Sequence, residues 1–316
     1  VETDNKKSFL RHWWWLIIIL IGVVVFAIVA IMGLLHDRRL RLENESEENY
    51  MQNDFEWPDP NVKSIDTVFV DLDQIKAISK FRSCAGHDRA GYNFNQVLET
   101  DRSMKHYFEP IRSSSETSTQ LALYAPFDGT IVHIRHIENN PDGTAKTTQE
   151  YTLLKDGSIE ISPIREAEGE RSFSGDDFNL MSPLDENAVF GFRHVTPIKS
   201  WELGDQVEAG EIFGYALVAE GSNFDIDYVG RNFKIEDKDT YIEVMDSVFN
   251  HMTDSVLIEF SEYGVTPGNV ITTKAERDAQ PCGYDPITKY DSPVCHLSST
   301  ASDPTENDCY VRLEKE

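Results

Sequence analysis

Between Leu121 and Tyr228 the chain is interrupted too often for a helix of ordinary length to fit. Corners stand at Asp128-Gly129, Asp142-Gly143, Asp156-Gly157, Gly204-Asp205 and Ala209-Gly210. Gly beside Asp marks a tight reversal, and short apolar runs between such corners read as strands. The segments 121–125, 129–137, 149–154, 158–162, 188–194, 206–208, 211–219 and 224–229 fit that description. The region is therefore expected to be all-β, built from many short strands.

Two of these stretches share a grammar. "LALYAPFDGTIVHI" (121–134) bends around Asp128-Gly129, and "WELGDQVEAGEIFGYALV" (201–218) is punctuated by Gly204-Asp205 and Ala209-Gly210. Together they resemble the barrel-sandwich core shared by lipoyl/biotinyl-like domains and the lysostaphin-type (LytM-like) zinc endopeptidases. The resemblance covers roughly residues 102–230. It implies a strand–turn–strand for the first stretch and a second hairpin that returns beside it. A carrier domain would need a Lys at the hairpin tip. Leu203–Gly214 contains none, and the nearest basic residue is Lys199.

The peptidase resemblance can be followed residue by residue. The family's first ligand motif is H-x-x-x-D, ahead of the "AP.DG" turn. His106 lies where its His belongs; four residues on stands Pro110, with Glu109 one short. The closing H-x-H motif is matched by Asp225-Ile226-Asp227, so the alternation is kept and the imidazoles are not. His194, ahead of the second hairpin, matches the histidine that assists at the scissile carbonyl. The resemblance thus implies His194 as a catalytic position and His106, Glu109, Asp225 and Asp227 as metal positions. The usual two-His-plus-Asp zinc set is missing, so no cofactor is expected. A bound cation would be Zn²⁺ on the imidazoles or, on an oxygen-rich set, Ca²⁺ or another hard ion. The alternative for the two aspartates is a solvated strand face; for His106 it is a buried, hydrogen-bonded structural histidine. Cys84-Ala-Gly-His87 has metal-ligand spacing, but no second C-x-x-C accompanies it, and Cys295-His296 completes it only on paper. No phosphate loop, dinucleotide fingerprint or nucleophile elbow is present.

The N-terminus differs from the rest. Residues 13–35, "WWWLIIILIGVVVFAIVAIMGLL", carry no charge, enough to span a bilayer core, with three tryptophans at the interface. Basic residues flank both sides equally: Lys6, Lys7 and Arg11 before, Arg38, Arg39 and Arg41 after. Four cysteines follow the span, an even number that suits an oxidising space. The expectation is a single-pass protein of the cell membrane with residues 1–12 cytoplasmic and the remainder outside. Residues 36–63 read as a juxtamembrane stalk with one glycosylation sequon at Asn44. Residues 64–230 read as the β-rich ectodomain, and 231–316 as a helical extension with a cysteine-containing tail. Within the extension, Met245, Phe249, Met252, Val256 and Phe260 recur at three and four, predicting an amphipathic helix over about 239–263. Ile75, Ile78 and Phe81 predict another. Among the three possible disulfide connectivities, Cys282–Cys295 with Cys84–Cys309 is favoured because the first closes a short loop.

Lys and Arg number 29 against 55 Asp and Glu, a net charge of −26. Such a surface repels nucleic acid and suits high salt, cations or basic partners. The sequence therefore points to a membrane-anchored, peptidase-like protein without activity, serving as a binding or structural subunit of a membrane or envelope complex. The alternative is an active metal-dependent endopeptidase on envelope peptides with an altered ligand set.

Overall fold

Fifteen strands hydrogen-bond into one continuous sheet among the described residues. The structure is a computed structural model and describes residues 56–111, 118–139, 145–166, 175–219, 224–231, 243–285, 292, 295 and 309–315. The span at 13–35 and the stalk through residue 55, Asn44 included, lie outside these. Among the described residues no helix is long and apolar enough to cross a membrane.

The strands are β1 (Ile75–Ser79), β2 (Tyr92–Asn93), β3 (His106–Pro110), β4 (Ser118–Tyr124), β5 (Gly129–Asn139), β6 (Ala145–Leu153), β7 (Ile159–Ile161) and β8 (Arg165–Glu166). They continue with β9 (Asp176–Ser182), β10 (Asp185–Pro197), β11 (Gln206–Val207), β12 (Ile212–Ala219), β13 (Phe224–Gly230), β14 (Val244–Asp246) and β15 (Tyr310–Arg312). The main path runs β15-β1-β3-β13-β10-β9-β5-β6-β7. All eight strand segments expected between 121 and 229 are present; β8 and β9 are additions. Beside the main path, β11 pairs with the start of β5, and β12 pairs with β4 and β10. The two Gly-punctuated stretches therefore lie side by side. Gly204 and Gly210 hold φ of +89° and +78°, the left-handed region that a side chain would resist.

Three helices are short: α1 (Asp254–Ser261), α2 (Pro267–Val270) and α3 (Lys274–Ala279). The helix expected over 239–263 is helical only in α1 and in a 3₁₀ turn at Val248–Asn250; Val244–Asp246 is strand β14. Its five apolar side chains are nonetheless all buried; Met245 clusters with Val132, Val189 and Val229, Phe249 meets His106 of β3, and Phe260 meets Phe69. Residues 75–79, expected to be helical, form β1. Neighbours on both sides satisfy its backbone, β3 with a bulge between Ile75 and Ala77 and β15 from the far end of the chain.

The disulfides are Cys84–Cys282 and Cys295–Cys309, not the pairing expected from loop length. Cα separations of 5.3 and 6.3 Å fall in the range a disulfide spans. Both bridges share one buried cluster with Ala77, Tyr107, Tyr284 and Tyr310. Short sequence separation did not discriminate, since Cys295–Cys309 at a separation of 14 also closes a short loop; the pairing follows because the sheet brings the loop after β1 against the segment after α3.

Candidate functional site

Strand pairing fixes which residues share a face. Across β5, β9, β10 and β13 one row reads His133, Asn179, Gly191, Asp227. A parallel row two residues on holds Arg135 opposite Asp177, with Arg193 beside them and Asp225 opposite Tyr107 of β3. The intervening residues Phe178, Phe192, Ile226 and His106 pair across the same strands and point the other way, into the aromatic core.

This alternation separates the expected site residues. Asp225 and Asp227 share the polar face, as their spacing implied. His194 reaches the same place, its Nε2 3.7 Å from Asp225 Oδ1. Its backbone sits at φ +61°, and its N–H donates to Asp177 Oδ1 at 2.9 Å. His106 is on the opposite face. It is 1 % exposed, with Nδ1 2.7 Å from the Ser79 carbonyl and Nε2 2.8 Å from Ser247 Oγ. Its ring meets Phe249 edge-on at 5.1 Å. Burial, opposed by the Ser79 carbonyl and Asp246, lowers its pKa to about 4, so the ring is neutral. His106 is a core histidine and cannot join the aspartates. Glu109 pairs with Lys76 at 3.3 Å, part-way to solvent.

One residue earlier the sequence supplies Lys105, which sequence reasoning missed. Its ammonium is 4 % exposed, lies 4.8 Å from the centroid of the Tyr107 ring and is ion-paired to Asp225. No signal near it in sequence marks it: which of Lys105 and His106 faces Asp225 follows from the pairing of β3 with β13.

Asp227 is 1 % exposed and holds two guanidiniums. Arg193 Nη2 donates to Oδ1 at 2.6 Å and its Nε to Oδ2 at 3.1 Å, while Arg89 Nη2 lies 3.3 Å from Oδ2. Arg89 is also bound through Nε to Glu243 at 2.6 Å and through Nη2 to the same carboxylate. Arg193 Nη1 donates to Asn179 Oδ1 at 2.9 Å, and Arg135 Nη1 to Asp177 Oδ2 at 3.2 Å. Gly191 makes room for this layer. A Cβ there would lie 2.0 Å from Asp227 Oδ1 and 2.4 Å from Arg193 Nη2.

Burial alone would push the Asp225 carboxyl up. Lys105, His194 and Arg89 outweigh it and hold Asp225 well below the usual carboxylate range. Burial pulls the Lys105 ammonium down against the attraction of Asp225. Across this face Lys105, Arg89, Arg193 and Arg135 stand against Asp225, Asp227, Glu243 and Asp177. Each expected metal-binding carboxylate already carries a protein cation. A divalent ion at Asp225 or Asp227 would meet positive charge, so the donor set does not fit a metal as folded. Among the described residues, no three His, Cys, Asp or Glu side chains are grouped as ligands. His87 lies in the described loop after β1, and His296 lies outside the described residues. No protein-family model matches this chain, and no curated protein matches it.

Proposed function

We propose that the chain is a membrane-anchored, extracytoplasmic protein of barrel-sandwich, peptidase-like architecture that has no hydrolytic activity and serves as a binding or structural subunit of a membrane or envelope assembly. One observation carries the loss of activity. The side chains that stand where ligands would be are neutralised by Lys105, Arg89 and Arg193. A hydrolytic metal needs ligands and an open position for water; here the carboxylates accept hydrogen bonds from ammonium and guanidinium groups. The paired Gly hairpins support the architecture, the uncharged run at 13–35 supports the anchor, and two buried disulfides support an oxidising compartment. The partner is a protein; the acidic surface argues against nucleic acid.

The full chain, purified from membranes without chelator, is expected to contain no stoichiometric zinc or calcium and to leave envelope peptides intact. Zinc at one equivalent, with hydrolysis lost in His194→Ala, would overturn this reading in favour of an active peptidase with an altered ligand set. Affinity isolation of the full chain with its membrane neighbours, followed by mass spectrometry, identifies the partner.

A further inference from the structure

We infer that Cys84–Cys282 is a redox-active disulfide that exchanges with dithiols, and that Arg277 makes Cys84 its leaving thiolate. The inference goes beyond the reading above and stands apart from whether the chain hydrolyses peptides.

The two sulfurs have opposite surroundings. Arg277 Nη1 donates to Cys84 Sγ at 2.8 Å. Cys282 Sγ lies 3.4 Å from the Ser83 carbonyl oxygen. A guanidinium stabilises negative charge on the first sulfur. A carbonyl oxygen opposes such charge on the second and suits a neutral thiol, which can donate its S–H. The partners that a reduced pair needs, one for a thiolate and one for a thiol, are therefore already in place.

Arg277 itself gains from a thiolate. It projects from α3, whose first turn is fixed by a capping box between Thr273 and Glu276. It is 8 % exposed, and burial first, then the charge of Arg102, disfavour its positive form. Its other donations go to neutral oxygens, from Nε to the Arg82 carbonyl at 2.7 Å and from Nη1 to the Gln280 carbonyl at 2.9 Å. Among the described residues no carboxylate pairs with it. Its neighbours Arg82 and Arg102 share the buried Glu99 carboxylate instead. A buried charge without a counter-charge is unfavourable. Reduction of the disulfide supplies the missing anion, and whatever stabilises the reduced form makes the bond easier to reduce.

Both sulfurs are buried, so exchange proceeds through local opening. Cys282 stands between exposed Pro281 and Gly283. Asp101 holds this segment. Its carbonyl accepts from the Cys282 N–H at 3.3 Å, and its carboxylate accepts from the Gly283 and Tyr284 N–H groups at 2.8 and 3.0 Å. A thiolate of the dithiol attacks Cys282 Sγ. The Sγ–Sγ bond breaks, and its electron pair leaves on Cys84 beside Arg277. The second sulfur of the dithiol then attacks the first, closing its own disulfide and releasing Cys282. One dithiol proton ends on Cys282 and the other goes to solvent. The dithiol loses two electrons and the protein gains them.

The probe is dithiothreitol. The full chain is equilibrated at graded ratios of reduced to oxidised reagent, quenched in acid, alkylated and read cysteine by cysteine by peptide mass spectrometry. Arg277→Gln is expected to need a ratio at least about tenfold more reducing than wild type to open Cys84–Cys282, because a hydrogen bond to a charged group moves an equilibrium by roughly that factor or more. Cys295–Cys309 serves as the internal reference and should open at the same ratio in both proteins. Arg277→Lys, which keeps the charge, should lie nearer wild type. As Cys84–Cys282 opens in wild type, ultraviolet thiolate absorbance should appear at neutral pH, and Arg277→Gln should lack it. Equal ratios for wild type and a folded Arg277→Gln overturn the inference. Should Arg277→Gln not fold, wild type decides: opening without thiolate absorbance, or opening only where the fold is lost, overturns it equally. Metal content and peptide hydrolysis test the inactive reading separately.

Discussion

The two faces of the β3–β13–β10–β9 sheet are made from the same strands in strict alternation, and they are held by different forces. One face carries Phe108, Ile226, Phe192 and Phe178, with His106 set among aromatic rings. The other carries Tyr107, Asp225, Arg193 and Asp177, with Lys105 beside them. The apolar face loses water and gains contact area, and each large side chain contributes about 1.5–3 kcal/mol on full burial. The polar face surrenders hydration of at least eight charged groups and recovers it only through mutual pairing. Such a layer adds little net stability but fails badly when one member is removed. The difference teaches where function could have resided: the apolar face tolerates no polar ligand, while the polar face is a site filled with its own counter-charges.

The largest effect is expected on the apolar side. Phe249 is 1 % exposed and meets both His106 and Phe260 edge-on at 5.1 Å. Phe249→Asp loses that packing and buries an unpaired carboxylate, at a cost of roughly 5 kcal/mol or more in chemical denaturation of the full chain. A variant that stays folded but sheds co-purifying proteins would mean that the segment after β13 covers a partner rather than its own sheet. On the polar side, Asp227→Ala takes the carboxylate from Arg193, while Arg89 keeps Glu243, and should cost about 3–5 kcal/mol. A loss under about 1 kcal/mol would show that water already screens the pair, and the contrast between the faces would collapse.

Much of this architecture was legible beforehand. The turn residues marked the corners, and period-two alternation put Asp225 and Asp227 together. What failed was non-local. Whether His106 or Lys105 faces Asp225 is a one-residue matter of register, and a slip of one residue exchanges the faces of a strand. Nothing near His106 in sequence sets that register; it comes from pairing with β13, more than a hundred residues later. β9, "DDFNLMS", escaped notice because it has no β-branched residue, and its environment makes it a strand. The residues at three-and-four spacing from Met245 to Phe260 are all core residues, but a strand, a 3₁₀ turn and a helix deliver them. Periodicity reported burial correctly and the element wrongly. Cysteine pairing failed because Cys282–Cys295 and Cys295–Cys309 both close short loops, and only the sheet decides which chain segments meet.

A smaller perturbation sharpens the comparison from within the polar layer. Gly191 lies opposite Asp227 in the β10–β13 register. Gly191→Ala would drive a methyl group into the Asp227–Arg193 pair, and overpacking of this kind costs about 1–3 kcal/mol. The atoms it would meet are the side-chain ends of Asp227 and Arg193, so the clash should depend on Asp227 itself. In a double-mutant cycle, Asp227→Ala should absorb much of the Gly191→Ala cost, giving clear non-additivity. Additive losses would mean that the methyl group strains the backbone instead.

The smallest effect belongs to His106, buried on the apolar face. His106 titrates near 6.5 when unfolded and near 4 in the fold, because burial opposes its charged form. Between these values the unfolded chain binds more protons than the folded one. Stability from this group is therefore fully present above about pH 6.5 and is lost as pH falls toward 4. Over the first pH unit below 6.5 the loss is about 1 kcal/mol by linkage. Asp225 acts at lower pH, since its depressed carboxyl gives up stability only below the ordinary carboxylate range. His133, on the polar row, is lowered to about 4 as well, by burial first and then by Arg193, so both faces lose stability over the same first window and Asp225 only below it. His106→Gln removes the titrating ring, so its denaturation midpoint should fall less steeply between about pH 6.5 and 5.5 than that of wild type, whatever its absolute stability. Equal slopes in the two proteins would mean that His106 is protonated as readily folded as unfolded. Its bonds to Ser79 and Ser247 would then have to accommodate an imidazolium, and the neutral core assigned to that face would be wrong.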